Sequence, residues 1–188
     1  MQVDTLQLHK QHAALLVIDL QEKNTALMPE SRMFALRKNV RKLIEGARAF
    51  GMPVFVTEQY PKGLGSTLDD LSRSLPEGAK ILEKESFSCC GAPAFMEALK
   101  DSKRNQVIVC GIEAHVSVFQ TARDLVRRHF GVFIAEDAIA SRSHDNLQVG
   151  IRLMERAGVT ISSTDTMLLD LLQKVGGPDF KAISRLVK

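Results

Sequence analysis

Short apolar runs recur along the chain with amphipathic stretches between them, the alternation expected of a parallel sheet covered by helices on both faces. AALLVID (13–19) predicts the first strand, almost wholly aliphatic because neither face would meet water. PVFVTE (53–58), AKILEK (79–84), QVIVCG (106–111), VFIAED (132–137) and VTISS (159–163) predict the second to sixth. Over 32–50 a helical period of 3.6 puts Leu36, Val40, Leu43, Ile44 and Ala47 on one stripe. Arg37, Lys38, Arg41 and Lys42 then face water, and Gly51 stops the helix. Further helices are predicted at 93–100, 115–129, 145–157, 164–174 and 178–187. The segment 59–78, with two prolines and three glycines, breaks the pattern and predicts a long loop holding a short helical turn over a site.

Composition narrows the class. A chain of 188 residues, 45% hydrophobic and 25% charged, fits one domain over 1–188 with a continuous core. The net charge of +3 is spread among interleaved acids and bases, and one Tyr with no Trp leaves little for base stacking, so no nucleic-acid partner is expected. The opening MQVDTLQLHKQH lacks the features of a secretion signal, and no apolar run nears the roughly 18 residues of a membrane span, so a cytoplasmic protein without membrane contact is expected. Three cysteines, two of them the neighbours Cys89 and Cys90, argue for reduced thiols over a disulfide framework.

Ligands of open parallel sheets bind beyond the carboxyl ends of the strands. The polar residues predicted there are Asp19, Glu58, Lys84, the turn from Cys110 to Ser117, and Asp137. Asp19 is either a turn-capping acid or a general base tuned by burial and a nearby cation. Lys84 is either a solvated strand-end lysine or the partner that keeps Asp19 ionised. Ser117, about three residues into the predicted helix, either satisfies a first-turn amide or acts as a nucleophile where amides and the helix dipole favour negative charge. Cys110 would end a buried strand as an inert thiol, His115 would lie in a pocket or on the surface, and His144 would begin a helix. No HExxH, GxGxxG or GxxxxGK[ST] pattern occurs, so no metal and no cofactor are expected.

The stretches LLVIDLQEK (15–23), VFVTEQYPKGLG (54–65), EKESFSC (83–89), CGIEAHVSVFQTARDL (110–125) and AEDAIASRS (135–143) together resemble the isochorismatase-like hydrolases, or cysteine hydrolases. They are most similar to the isochorismatase domain-containing members. The resemblance implies a three-layer αβα fold around a six-stranded parallel sheet, a homo-oligomer, and hydrolysis of a small amide or related polar molecule. It assigns catalysis to Asp19, Lys84 and Ser117, with serine where the family's amidases carry cysteine. It also implies a cis peptide between Ile112 and Glu113, whose amide would join that of Ser117 around a substrate oxygen. Tyr60, Phe87, His115 and Gln120 would line the pocket, although core packing is the other reading of Phe87 and Gln120. TEQYPKGLG contains no histidine, against the metal-bearing nicotinamidase type. The serine leaves open a working variant, an inactive natural or engineered form, a nucleophile-independent vinyl-ether hydrolysis with Asp19 as proton donor, and a binding or regulatory protein on the same scaffold.

Overall fold

The computed structural model describes residues 4–188. Six parallel strands form one sheet in the order β3-β2-β1-β4-β5-β6, namely β1 (Ala13–Ile18), β2 (Val54–Gln59), β3 (Lys80–Lys84), β4 (Gln106–Ile112), β5 (Gly131–Ala140) and β6 (Thr160–Ser162). Around it run α1 (Glu22–Thr25), α2 (Glu30–Ala49), α3 (Pro61–Leu64), α4 (Asp69–Ser72), α5 (Pro93–Asp101), α6 (Phe119–Arg127), α7 (His144–Arg156), α8 (Thr164–Leu172) and α9 (Phe180–Leu186). The architecture is the expected three-layer αβα fold. Among the described residues no helix is long and apolar enough to cross a membrane.

The alternation of side chains along each strand divides the core in two. Leu15 and Val17 of β1 face the predicted stripe of α2 and Met167 and Leu171 of α8. Ala14, Leu16 and Ile18 face the other way, onto Phe95 and Leu99 of α5, Leu125 of α6 and Met154 of α7. Each inward set is almost fully buried, so the central strands tolerate little besides aliphatic residues.

Register aligns the carboxyl ends that matter for chemistry. Ile18 pairs with Thr57 on one side and Gly111 on the other, and Gln59 pairs with Lys84. Gly111 has φ 118°, and a Cβ there would lie 2.1 Å from the Ile18 carbonyl oxygen, so only glycine lets β4 approach β1 so closely. Gly150 of α7 plays a similar part, since a Cβ there would lie 2.8 Å from the backbone of Ala114.

Several sequence expectations are corrected. The exposed pair Glu136 and Asp137 does not end β5: the ladder slips, Val109 pairing with Ile134 but Gly111 with Ile139, and the strand resumes to Ala140. The helix expected over 115–129 is a five-residue π turn, Ala114–Val118, followed by α6. The 59–78 excursion holds two short helices, α3 and α4, instead of one turn. His144 does begin α7, with the Ser143 hydroxyl accepting the Asn146 amide at 3.2 Å.

Candidate functional site

β1 delivers Asp19 one residue past its last ladder position, with φ 53°, a left-handed turn that aspartate accommodates better than most residues. Lys84 at the end of β3 donates to Asp19 Oδ2 at 2.7 Å, and to the carbonyls of Ser86 and Phe87 at 3.1 Å each. All three ammonium donors are thereby satisfied. The ion pair is sealed from water, with 1% of the Asp19 side chain exposed and 0% of that of Lys84. Asp19 Oδ1 accepts the Thr57 hydroxyl at 2.8 Å.

Burial pushes the Asp19 carboxyl above its ordinary range; the Lys84 ammonium pulls it back most strongly, then the hydroxyls of Thr57 and Ser117, without cancelling the shift. Ser117 is buried in the π turn after β4, and its hydroxyl is the weakest of these contacts on the carboxylate. Residues 19, 84 and 117 thus sit together. π turns inside helices recur where a side chain must be aimed; here the Glu113 carbonyl accepts the amides of Val116 and Val118 at 3.0 and 3.2 Å.

The Ile112–Glu113 peptide is cis. The Glu113 side chain does not enter the cluster: its carboxylate accepts the Arg142 backbone amide at 3.0 Å and Nε at 3.1 Å. Although burial acts to raise it, Arg142 holds the Glu113 carboxyl below the usual carboxylate range.

The structure separates other sequence candidates from the site. Glu58 Oε1 accepts the amide and hydroxyl of Thr67 at 2.6 and 2.7 Å, fastening the loop after β2. Asp137 Oδ1 accepts the amide and hydroxyl of Thr164 at 2.8 and 2.9 Å, capping α8. His115 Nδ1 lies 3.0 Å from Ser141 Oγ. Tyr60 and Phe87 are more than half exposed, so Phe87 is not a core residue, and Gln120 is half-buried. An open cleft of about 640 Å³ lies beside Tyr60, Lys84, Ser86 and Pro93; Asp19 and Ser117 do not line it. Cys110 is fully buried, and burial pushes its thiol up. Among the described residues no three His, Cys, Asp or Glu side chains cluster to hold a metal ion.

Three contributors were not singled out from the sequence. Thr57 carried one signal, a hydroxyl directly after the apolar run Val54–Val56. Gln21, fully buried, clamps the loop by donating to the carbonyls of Gln59 and Gly65 at 3.0 and 2.7 Å and accepting the Gln59 amide at 2.8 Å. Cys89 Sγ lies 3.7 Å from Thr57 Oγ1.

The Isochorismatase domain family matches residues 13–166. Isochorismatase domain-containing protein 2 of Danio rerio is 35% identical over 176 residues, covering 93% of this chain and 86% of that protein. The solved MAR1 ribonuclease of Caenorhabditis elegans superposes with a TM-score of 0.91 at 38% identity, covering 96% of this chain and 92% of that one. A hypothetical protein from Trypanosoma cruzi superposes with a TM-score of 0.90 at 30% identity, covering 98% and 96%. A domain match spanning the whole sheet, relatives alike over most of their length and the shared αβα architecture place this chain in the isochorismatase-like hydrolase family.

Proposed function

We propose that the protein hydrolyses a small amide or related polar molecule, with Asp19 as proton acceptor and donor, Lys84 as its electrostatic partner and Ser117 as nucleophile. The observation that carries this reading is the sealed Asp19–Lys84 pair, 2.7 Å apart, with the buried Ser117 hydroxyl in contact with the Asp19 carboxylate. An isolated buried carboxylate would take up a proton; beside a fully satisfied ammonium it can ionise and still bind a proton more tightly than aspartate in water. As Ser117 Oγ attacks the substrate carbonyl, its proton passes to Asp19, and the amides of Glu113 and Ser117 face the developing oxyanion. Asp19 returns the proton to the departing nitrogen. Water then attacks the acyl ester by the same route in reverse, freeing the acid and restoring Ser117.

Burial of the reacting groups supports a small substrate over a polymer; of the pocket residues expected from the resemblance, Tyr60, which lines the cleft beside Lys84, is the one proposed to meet it. The exposed aromatic rings of Phe34, Tyr60 and Phe87 support association of like chains, which would cover them. One observation favours a second reading: the raised proton affinity of Asp19 suits a general acid that protonates a vinyl ether, leaving water to complete hydrolysis without a nucleophile.

A panel of small amides, vinyl ethers and an RNA oligonucleotide, offered to the wild type, Ser117→Cys, Ser117→Ala and Asp19→Asn, tests these readings. The amide reading expects turnover that rises in Ser117→Cys and vanishes in Ser117→Ala and Asp19→Asn. Vinyl-ether cleavage that survives Ser117→Ala but not Asp19→Asn would replace it with the acid mechanism. Silence of every protein, Ser117→Cys included, would point to a binding module, and cleavage of RNA alone would overturn the small-substrate reading.

A further inference from the structure

The Thr57 hydroxyl is fully buried, and its one proton goes to Asp19 Oδ1 at 2.8 Å. Behind it, Cys89 Sγ stands 3.7 Å from the same oxygen, within reach of a weak S–H donor. Cys89 is itself anchored: its backbone amide donates to the Thr121 hydroxyl oxygen at 2.9 Å, and Thr121 lies on α6, four residues beyond Ser117. A line of buried polar groups therefore runs from the helix that follows Ser117, through Cys89 and Thr57, to the carboxylate that Ser117 faces.

We infer that Thr57 is a positioning residue for Asp19: its hydroxyl, aimed by the Cys89 thiol behind it, pins Oδ1 while Lys84 pins Oδ2, so that the carboxylate plane is held with a free lone pair toward Ser117. With Lys84 alone, the carboxylate could swing about its Cβ–Cγ bond; a second anchor on the other oxygen removes that freedom. The relay also favours the charged acid. The Thr57 hydroxyl donates to Oδ1, and a carboxylate oxygen accepts such a bond more strongly than that of a neutral acid. Burial pushes the Cys89 thiol up to about 12, so it stays a neutral donor through the physiological range.

Other ionisable groups on the surrounding elements have partners elsewhere: Glu58 meets Thr67, Glu113 meets Arg142, His115 meets Ser141, Arg123 meets Asp124, Cys90 meets the Thr121 carbonyl and Cys110 that of Leu16, while Glu83 and Glu85 are exposed. Lys84 and Cys89 are the titratable side chains that face Asp19. The functional meaning of the relay rests on the hydrolytic reading; its geometry does not.

Carboxyl NMR of 13C-labelled protein across a pH series reads Asp19 directly, with Asp19→Asn identifying its signal. Thr57→Val removes the hydroxyl at nearly constant volume and is expected to raise the pH at which Asp19 titrates by about one unit. Cys89→Ala should move it the same way by less, and Thr57→Ser should restore the wild-type value. A folded Thr57→Val protein titrating as the wild type does, or a Thr57→Ser protein that fails to restore it, would overturn the inference. Should Thr57→Val not fold, an unmoved Asp19 in Cys89→Ala decides against the relay. Where turnover is measurable, Thr57→Val should lower kcat and leave KM in place. Shifted titration with no hydrolysis anywhere removes the hydrolytic reading and keeps the relay, whereas hydrolysis without a shift does the reverse.

Discussion

Asp70 on α4 and Asp19 after β1 each meet a cation at 2.7 Å, Arg37 in the first case and Lys84 in the second. Asp70 gains a second guanidinium, Arg41 at 2.8 Å, and the three side chains are 27–47% exposed, against 1% and 0% for Asp19 and Lys84. Burial acts to raise both carboxyls. At Asp70 it is outweighed by Arg37 and Arg41, and the carboxyl sits below its ordinary value; at Asp19 it wins. The nearest cation is equally close in both, so the outcome follows from access to water together with the second guanidinium at Asp70. The outer pair braces α2 against α4. The inner one keeps a carboxyl of raised proton affinity away from water.

The two pairs should respond to pH with opposite signs. Asp70 has a lowered value, so its contribution to stability is present above the unfolded value of 3.8 and is lost as pH falls through the folded one. Asp19 has a raised value, so its contribution is present below 3.8 and is lost as pH rises through the folded one.

The comparison can be broken most forcefully at Asp19. Asp19→Asn is expected to cost roughly 10²–10⁴-fold in kcat on whichever substrate the panel reveals, and turnover that persisted would take the acid out of the mechanism. Next comes Lys84→Met, which strands a buried carboxylate and should cost about 3–5 kcal/mol in urea unfolding; a loss below 1 kcal/mol would mean that water reaches the pair. The acid limb of kcat/KM for amide hydrolysis should lie above the ordinary aspartate range, because Asp19 must lose its proton to act. For vinyl-ether cleavage the rate should instead fall as pH rises through the same value, so the sign of the profile separates the two mechanisms. On the surface, Arg41→Ala should change stability by about 1 kcal/mol or less, and Asp70→Asn should flatten the loss of stability on acidification. Smallest of all, raising salt to about 1 M, where the Debye length is roughly 3 Å, should weaken the Asp70 contacts and leave the sealed pair almost unchanged.

Much of the fold was legible because full burial leaves a strand few choices. β1, β2 and β4 announced themselves as aliphatic runs, and α2 as a stripe opposite a basic face. The same logic failed at Glu136 and Asp137, whose polarity imitated a strand end although the chain only bulges there and resumes pairing. Four-residue helices such as α1, α3 and α4 are too short to carry a period. At the site, Asp19 and Lys84 stood out as charged residues where apolar runs stop. Glu58 and Asp137 stood out equally well and proved to fasten a loop and cap a helix. Thr57, one residue before Glu58, was passed over.

By itself the sequence determined the layer order of burial, the class of fold, its family and which strand ends carried charge, since these follow from local periodicity and from motifs contiguous in the chain. Which charges meet was decided by the tertiary structure alone. Register sets Thr57 against Ile18 and Lys84 against Gln59, and Gly111 lets β4 close on β1, so groups far apart in the chain exclude water together. Proton affinity belongs to that shared dry volume, a property that no single stretch of residues possesses.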